Sequence, residues 1–282
     1  MAIQWYPGHM EKARREMLKD LKLIDLIIEI LDARAPFSTS NPEIDKLGAN
    51  KSRLLILNKA DLADEKENRY WAEYFASKGK TALIVNSRSG AGIKDIEKTV
   101  SVIMREKTER DRARGIMNRP GRSMVVGIPN SGKSTFINAY TKKASTKTGN
   151  KPGVTRGKQW IRMGKNLELL DTPGILAPKI EREEVGFNLA LIGSINDEIL
   201  NREELALYFI AMARRRKLTA FFERYGVDED LEEHEMLNAI AQTHGALLKG
   251  SQPDTRKAAL IIIDDLRSGR LGRITVDERQ EQ

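Results

Sequence analysis

Apolar and polar positions follow two different rhythms along this chain. In the first 178 residues, short apolar runs occur at 26–31, 53–57, 81–85, 123–127 and 167–170. Between them, at 10–21, 65–78, 93–110 and 133–140, apolar residues recur at helical spacing. Strand alternating with helix predicts an α/β fold, βα units around a mostly parallel sheet flanked by helices. The arginine-rich stretch 105–122 ends in Asn118-Arg119-Pro120-Gly121, which reads as a helix end and an exposed connector between two halves of the sheet. Past Pro178 the rhythm changes. No run there is convincingly strand-like, and Leu205, Phe209 and Met212, then Leu218, Phe221 and Phe222, keep helical spacing. The apolar stretch 260–266 also suits a helix. Residues 1–178 are expected to form one α/β domain and 179–282 a second, all-helical one.

With 282 residues, 40% hydrophobic and 31% charged, the composition is that of a globular protein rather than a disordered one. No apolar run approaches the roughly 20 residues a bilayer span needs, so no membrane partner is expected. The N-terminus lacks the basic-then-apolar layout of a signal peptide. There is no cysteine. That excludes disulfides and cysteine-ligated zinc and fits a cytosolic, cytoplasmic protein. The net charge of +8 is unevenly placed: residues 1–178 carry 33 Lys and Arg against 20 Asp and Glu, whereas 179–282 carry 15 against 20. The stretch 142–165 has eight basic residues and no acidic one. Such density attracts polyphosphate, a nucleotide or an RNA backbone, although a solvated surface would have the same composition.

Residues 127–134 read Gly-Ile-Pro-Asn-Ser-Gly-Lys-Ser: glycine, four residues, then Gly-Lys-Ser. The apolar Met124-Val125-Val126 precedes them and a helical stretch follows, the context that a phosphate-binding loop needs. In such a loop the backbone around Asn130, Ser131 and Gly132 wraps phosphate oxygens, and the helix start at Lys133, Ser134 and Thr135 adds a favourable dipole. Lys133 would reach the β- and γ-phosphates and the Ser134 hydroxyl would ligate Mg²⁺. The base is read from Asn58-Lys59-Ala60-Asp61, which follows Leu54-Leu55-Ile56-Leu57. A carboxylate at Asp61 accepts both N1–H and the exocyclic amine of guanine, and adenine would leave it unpaired. Asn86-Ser87-Arg88-Ser89-Gly90, after the run 81–85, supplies a second base-side loop through Ser87 and Arg88. Downstream, Asp171-Thr172-Pro173-Gly174 follows the run 167–170. There Asp171 would hold the Mg²⁺ water shell and the Gly174 N–H would meet the γ-phosphate. Thr155 is a further candidate Mg²⁺ ligand, with Thr146 and Thr148 as alternatives.

These five elements resemble the motifs of Ras-like GTPases in an unusual order. Conventional members begin with the phosphate loop; here the guanine-side loops come first, as in a circularly permuted G domain. Together with Trp5-Tyr6-Pro7-Gly8-His9-Met10 and the helical tail, the chain resembles the ribosome biogenesis GTPase A (RbgA/YlqF) family. The resemblance implies a bacterial GTPase that binds GTP and GDP, matures the large (50S) ribosomal subunit, and is stimulated on that particle. Gly174 is followed by Ile175, Leu176 and Ala177, none of which can orient the attacking water. The resemblance points to His9 for that task, a role imidazole chemistry suits; the residues alone equally allow a surface or helix-start histidine. It also makes Asn130 a candidate K⁺ ligand, although an asparagine in a tight turn would look the same. Arg214, Arg215, Arg216 and Lys217, and separately Arg267, Arg270 and Arg273, could touch RNA phosphates or form ion pairs on solvated helices. The alternatives to ribosome-coupled hydrolysis are an assembly factor that holds GTP as a structural ligand and a GTPase acting on another RNA such as tRNA.

Overall fold

The computed structural model describes residues 19–116, 119–141, 159–163, 167–171, 182–195 and 201–280. Six strands form one sheet: β1 (Leu26–Asp32), β2 (Ser52–Asn58), β3 (Thr81–Ile84), β4 (Gly121–Val126), β5 (Gln159–Met163) and β6 (Leu167–Asp171). Their order across the sheet is β3-β2-β1-β4-β6-β5, parallel throughout except for β5, which runs antiparallel to β6. In chain order the helices are α1 (Pro36–Thr39), α2 (Pro42–Leu47), α3 (Glu65–Ser77), α4 (Ile93–Ile103), α5 (Arg105–Ala113), α6 (Lys133–Thr141), α7 (Glu183–Leu191), α8 (Arg202–Arg215), α9 (Thr219–Tyr225), α10 (Glu233–Thr243) and α11 (Thr255–Ser268).

β1 is buried at every position, as a central parallel strand covered on both faces must be. Alternate residues divide between two cores. Ile28 and Ile30, with Leu54 and Ile56 of β2, face Ile96 and Val100 of α4. Leu31, with Leu55 and Leu57, faces Trp71 and Phe75 of α3. Glu29 shares that second face and is satisfied rather than exposed: Arg53 pairs with it and the Asn41 N–H donates to it at 3.0 Å. Asp64 starts α3 by accepting from the Lys66 and Glu67 N–H groups.

Three features depart from the sequence expectation. The single helix expected over 93–110 is broken at Met104, whose side chain joins the core while its backbone (φ −89°, ψ 1°) ends α4. The following α5 buries none of its residues. Strand β5 was not expected, because only Ile161 of its Trp160-Ile161-Arg162 centre is buried and the surrounding stretch is basic. Finally, the chain divides into a unit of residues 1–181 with 275–282 and a second unit of 182–274. Residues 275–280, placed in the helical domain by the sequence expectation, thus group with the sheet unit.

Within the second unit, Leu205, Phe209 and Met212 of α8, Phe221 and Tyr225 of α9, Ile240 of α10, and Ile262 and Leu266 of α11 form the buried interior. Asp265 is buried there as a polar hub, accepting from the Tyr225 hydroxyl at 3.0 Å and from Arg224 and Arg270. Burial pushes its carboxyl up, but these donors outweigh that and hold it below the usual range. Among the described residues, no helix is long and apolar enough to cross a membrane.

Candidate functional site

The parallel strands bring their C-terminal ends to one edge of the sheet, where open α/β sheets place their ligands. Asp32 ends β1, Asn58 ends β2 and Asp171 ends β6, while residues 127–134 follow β4. Register pairs Asp32 with Asn58 and Val125 with Asp171. Residues far apart in the sequence thus meet because their strands are neighbours.

The 127–134 loop has the backbone that its glycines permit. Gly127 has φ +153°, and a Cβ there would lie 2.6 Å from the Ile30 carbonyl oxygen. Gly132 has φ +94°, and a Cβ would lie 2.3 Å from Asn58 Nδ2. Asn130 is left-handed at φ +59°, which asparagine tolerates, so the turn itself accounts for an asparagine there. The buried Ser131 hydroxyl donates to the Ile128 carbonyl at 3.0 Å. Lys133 Nζ donates to the Gly127 and Ile128 carbonyls at 3.2 and 3.0 Å, holding its ammonium over the loop at the start of α6. Ser134 and Thr135 occupy the next two positions of that helix.

Asn58 ties this loop to the base-side loops. Its Nδ2 donates to the Ser131 carbonyl at 3.0 Å, and its Oδ1 accepts from the Ser87 N–H and hydroxyl at 3.2 and 2.7 Å. Lys59, also left-handed (φ +59°), donates from Nζ to the Asn130 carbonyl at 2.6 Å and to Asp32 Oδ2 at 2.8 Å. Asn86 shapes the second loop by accepting from the Arg88 and Ser89 N–H groups. Asp61 and Arg88 are exposed beside this framework, open to a base.

Asp32 and Arg34 were missed by the sequence reading. The Arg34 guanidinium grips the Asp32 carboxylate through Nε and Nη2 at 2.9 and 2.7 Å, and Lys59 completes the cluster. Burial pushes the Asp32 carboxyl up, yet Arg34 and Lys59 overrule it and hold it far below the usual carboxylate range. Burial, with the neighbouring Arg34, lowers Lys59 against the opposing pull of Asp32 and Asp61. The available signal was positional: Asp32 closes an apolar strand at the same edge as Asn58. Asp32→Ala should destabilise the protein by about 3–5 kcal/mol, because it strands two cations in or near the interior. The sign with pH follows from the depressed carboxyl. Its contribution is complete above an unfolded value of roughly 3.9 and is lost as pH falls from there toward the folded value. Denaturant midpoints from pH 7 to 3 should fall in the parent and, for this component, stay flat in the variant.

His9, Thr155 and Gly174 lie outside the described residues, and of Asp171 only the backbone is described. In the helical unit, Arg214 pairs with Glu233 at 3.3 Å and Glu232 at 3.6 Å. Arg215 ends α8, and Arg216 and Lys217 follow it. In the second basic cluster Arg267 donates to the Ala190 and Leu191 carbonyls at the end of α7, the exposed Arg270 pairs with Asp265, and Arg273 is exposed. His234 and His244 are exposed.

A family model described as a 50S ribosome-binding GTPase matches residues 122–243, beginning in β4. Ribosome biogenesis GTPase A of Bacillus cereus is 45% identical over 282 residues, spanning 100% of this chain and 95% of its own. The chain belongs to the ribosome biogenesis GTPase A family. The GTPase A of Thermotoga maritima is 32% identical over 99% of this chain and 95% of its own. A bovine mitochondrial ribosome-associated GTPase 1 is 32% identical over 97% and 88%. The crystal structure of GNP-bound YlqF from T. maritima superposes with a TM-score of 0.67 at 29% identity, covering 95% of this chain and 98% of that one. This GTPase A chain therefore binds guanine nucleotides, hydrolyses GTP and works in ribosome assembly. Hydrolysis removes the alternative of GTP held only as a structural ligand.

Proposed function

We propose that this GTPase binds the maturing large (50S) ribosomal subunit in the cytoplasm, and that hydrolysis drives a late assembly step and its own release. The observation that carries the nucleotide side of this reading is the pair of hydrogen bonds in which the Asn58 amide donates to the Ser131 carbonyl and accepts from the Ser87 hydroxyl, tying guanine-side and phosphate-side loops into one receptor. In it Asp61 accepts from the guanine N1–H and amine, with Ser87 and Arg88 beside the base. Lys133 and the backbone of Asn130, Ser131 and Gly132 hold the phosphates, with Ser134 and Thr135 at the helix start and the Gly174 N–H at the γ-phosphate. The donor set for a metal is chemically apt: Ser134 lies in the first turn of the helix after β4, and Asp171 ends β6 in register with β4. Hydroxyl and carboxylate oxygens are hard ligands of the kind Mg²⁺ takes, and Thr155 would add another. Bound there, Mg²⁺ neutralises charge on the β- and γ-phosphate oxygens. The Asn130 amide is a neutral oxygen donor suited to K⁺.

Hydrolysis breaks the bond from the γ-phosphorus to the β,γ-bridging oxygen, which leaves on GDP, while a water oxygen bonds to phosphorus. Since Ile175, Leu176 and Ala177 carry no group to hold that water, His9 orients it and takes up its proton. The exposed Arg215 and Lys217, with Arg214 and Arg216, meet ribosomal RNA phosphates.

Turnover with and without purified large subunits, in sodium and in potassium, tests the assignment. Stimulation by large subunits and not by free tRNA supports it; no response to large subunits or their precursors removes it. His9→Ala should cut stimulated turnover by about 100-fold or more with little change in GTP affinity, the scale of a lost proton-transfer group. Unchanged stimulated turnover would relieve His9 of the role.

A further inference from the structure

After Ser268 the chain forms no further helix or strand among its described residues, yet Thr275, Val276 and Asp277 are 3%, 1% and 3% exposed. Three successive buried residues in irregular backbone must have their polar groups met elsewhere. Each is met by a segment flanking the Asn58–Asp61 loop. The Val276 N–H donates to the Arg34 carbonyl at 2.7 Å, next to the cluster that fixes Lys59. The Thr275 hydroxyl oxygen accepts from the Asp64 N–H at 3.2 Å, three residues beyond Asp61. Asp277 Oδ2 accepts from the Phe37 and Ser38 N–H groups at 2.7 and 3.0 Å, and Oδ1 accepts from the Ser38 hydroxyl. That fastens α1, whose Thr39 hydroxyl oxygen accepts from the Asp32 N–H at 3.1 Å.

We infer that residues 275–277 form a C-terminal clasp that sets the position of the guanine-reading loop, with Asp277 as its principal positioning residue. The clasp touches neither base nor phosphate. It acts on both flanks of the loop, through Arg34 and Asp32 on Lys59, and through Asp64 on the stretch that carries Asp61. A carboxylate accepting two N–H groups and a hydroxyl gives charge-assisted bonds, stronger than neutral ones. Farther along, Arg279 pairs with Glu67 at 2.9 Å and the Tyr70 hydroxyl donates to the Gln280 carbonyl at 2.6 Å, anchoring the clasp on α3. The segment follows directly on the helical unit, which ends at Ile274. The inference rests on Asp61 being the guanine acceptor.

The test measures equilibrium binding of GTP, GDP and ITP to the full chain, well below its melting temperature. Inosine keeps N1–H but lacks the exocyclic amine, so the preference for GTP over ITP reports how well Asp61 is aimed. Asp277→Ala should weaken GTP and GDP alike by about tenfold, the scale of one to a few lost bonds. It should also shrink the GTP-over-ITP preference by about threefold or more. Asp277→Asn keeps an oxygen for both N–H groups and should recover most of each loss. Thr275→Val, which removes the acceptor for Asp64, should shift both readouts in the same direction and decides the matter if Asp277→Ala does not fold. Folded variants that melt earlier yet bind all three nucleotides like the parent would overturn the clasp. A parent with no preference for GTP over ITP would instead remove Asp61 as the guanine reader, and this inference with it.

Discussion

Asp61→Asn should exchange the base that this GTPase selects. In the proposed site guanine would present two donors, N1–H and the exocyclic amine, to the exposed carboxylate of Asp61. An asparagine amide presents one acceptor and one donor. Its oxygen still meets N1–H, but its NH₂ confronts the guanine amine, leaving two donors opposed. Xanthine has a carbonyl oxygen where guanine has that amine, and so matches the asparagine. GTP affinity should fall by about four orders of magnitude, the range seen when a hydrogen-bonding site loses its match, while XTP affinity rises. The fold should survive, since Asp61 is a surface side chain whose charge acts on Arg34 and Lys59 from outside their cluster with Asp32. Competition binding with GTP, XTP and ATP reads the result directly. A variant that still prefers GTP would mean that another group reads the base; one that loses GTP without gaining XTP would mean that the loop had collapsed.

The reason this site could be read from sequence lies in where its parts stand. A parallel strand buried on both faces is a near-continuous apolar run, so 26–31, interrupted only by Glu29, and 53–57, after Arg53, declared themselves as β1 and β2. The residue ending such a run falls at the ligand-binding edge, which places Asn58 and Gly127 before any coordinates are known. Gly132 was legible for a local reason: φ +94° is open to glycine and closed to other residues. What escaped was non-local or half-exposed. Nothing near Lys59 in sequence says that its ammonium bridges Asp32 and the Asn130 carbonyl, because those partners are 27 and 71 residues away. Strand β5 turns one apolar residue inward and two polar or aromatic ones outward, too short an alternation to separate from a basic loop. The return of Thr275–Asp277 to the sheet unit left no periodic trace at all, since its polar contacts are made by backbone groups, two hydroxyls and a single carboxylate. Arg267 looked like one of three surface cations, yet it donates to carbonyls at the end of α7, an arrangement that charge counting cannot reveal.

Gly132→Ala should weaken nucleotide binding strongly while leaving the sheet intact, because of what its methyl would meet. The added carbon would sit 2.3 Å from Asn58 Nδ2, and Asn58 has nowhere to go: it is 2% exposed, with Nδ2 on the Ser131 carbonyl and Oδ1 on Ser87. Relief requires breaking the bond that joins the base-side and phosphate-side loops. The alternative is to rotate residue 132 out of φ +94°, which moves Lys133 and the start of α6. A non-glycine residue held in that region costs about 1–3 kcal/mol, and losing the Asn58 bonds adds a similar amount. GTP and GDP affinity should each fall by about 100-fold or more, the sum of those two costs. Thermal stability should drop by about 2–4 °C for each kcal/mol of those costs, with the sheet itself kept, since the loop lies at its edge and not within its cores. Double substitution separates the two causes: with Asn58→Ala already made, the clash is gone, and adding Gly132→Ala should cost only the backbone strain. If the two losses simply add, Asn58 is not the clamp between the loops, and the rigidity of the receptor must come from Lys59 and Asp32 instead.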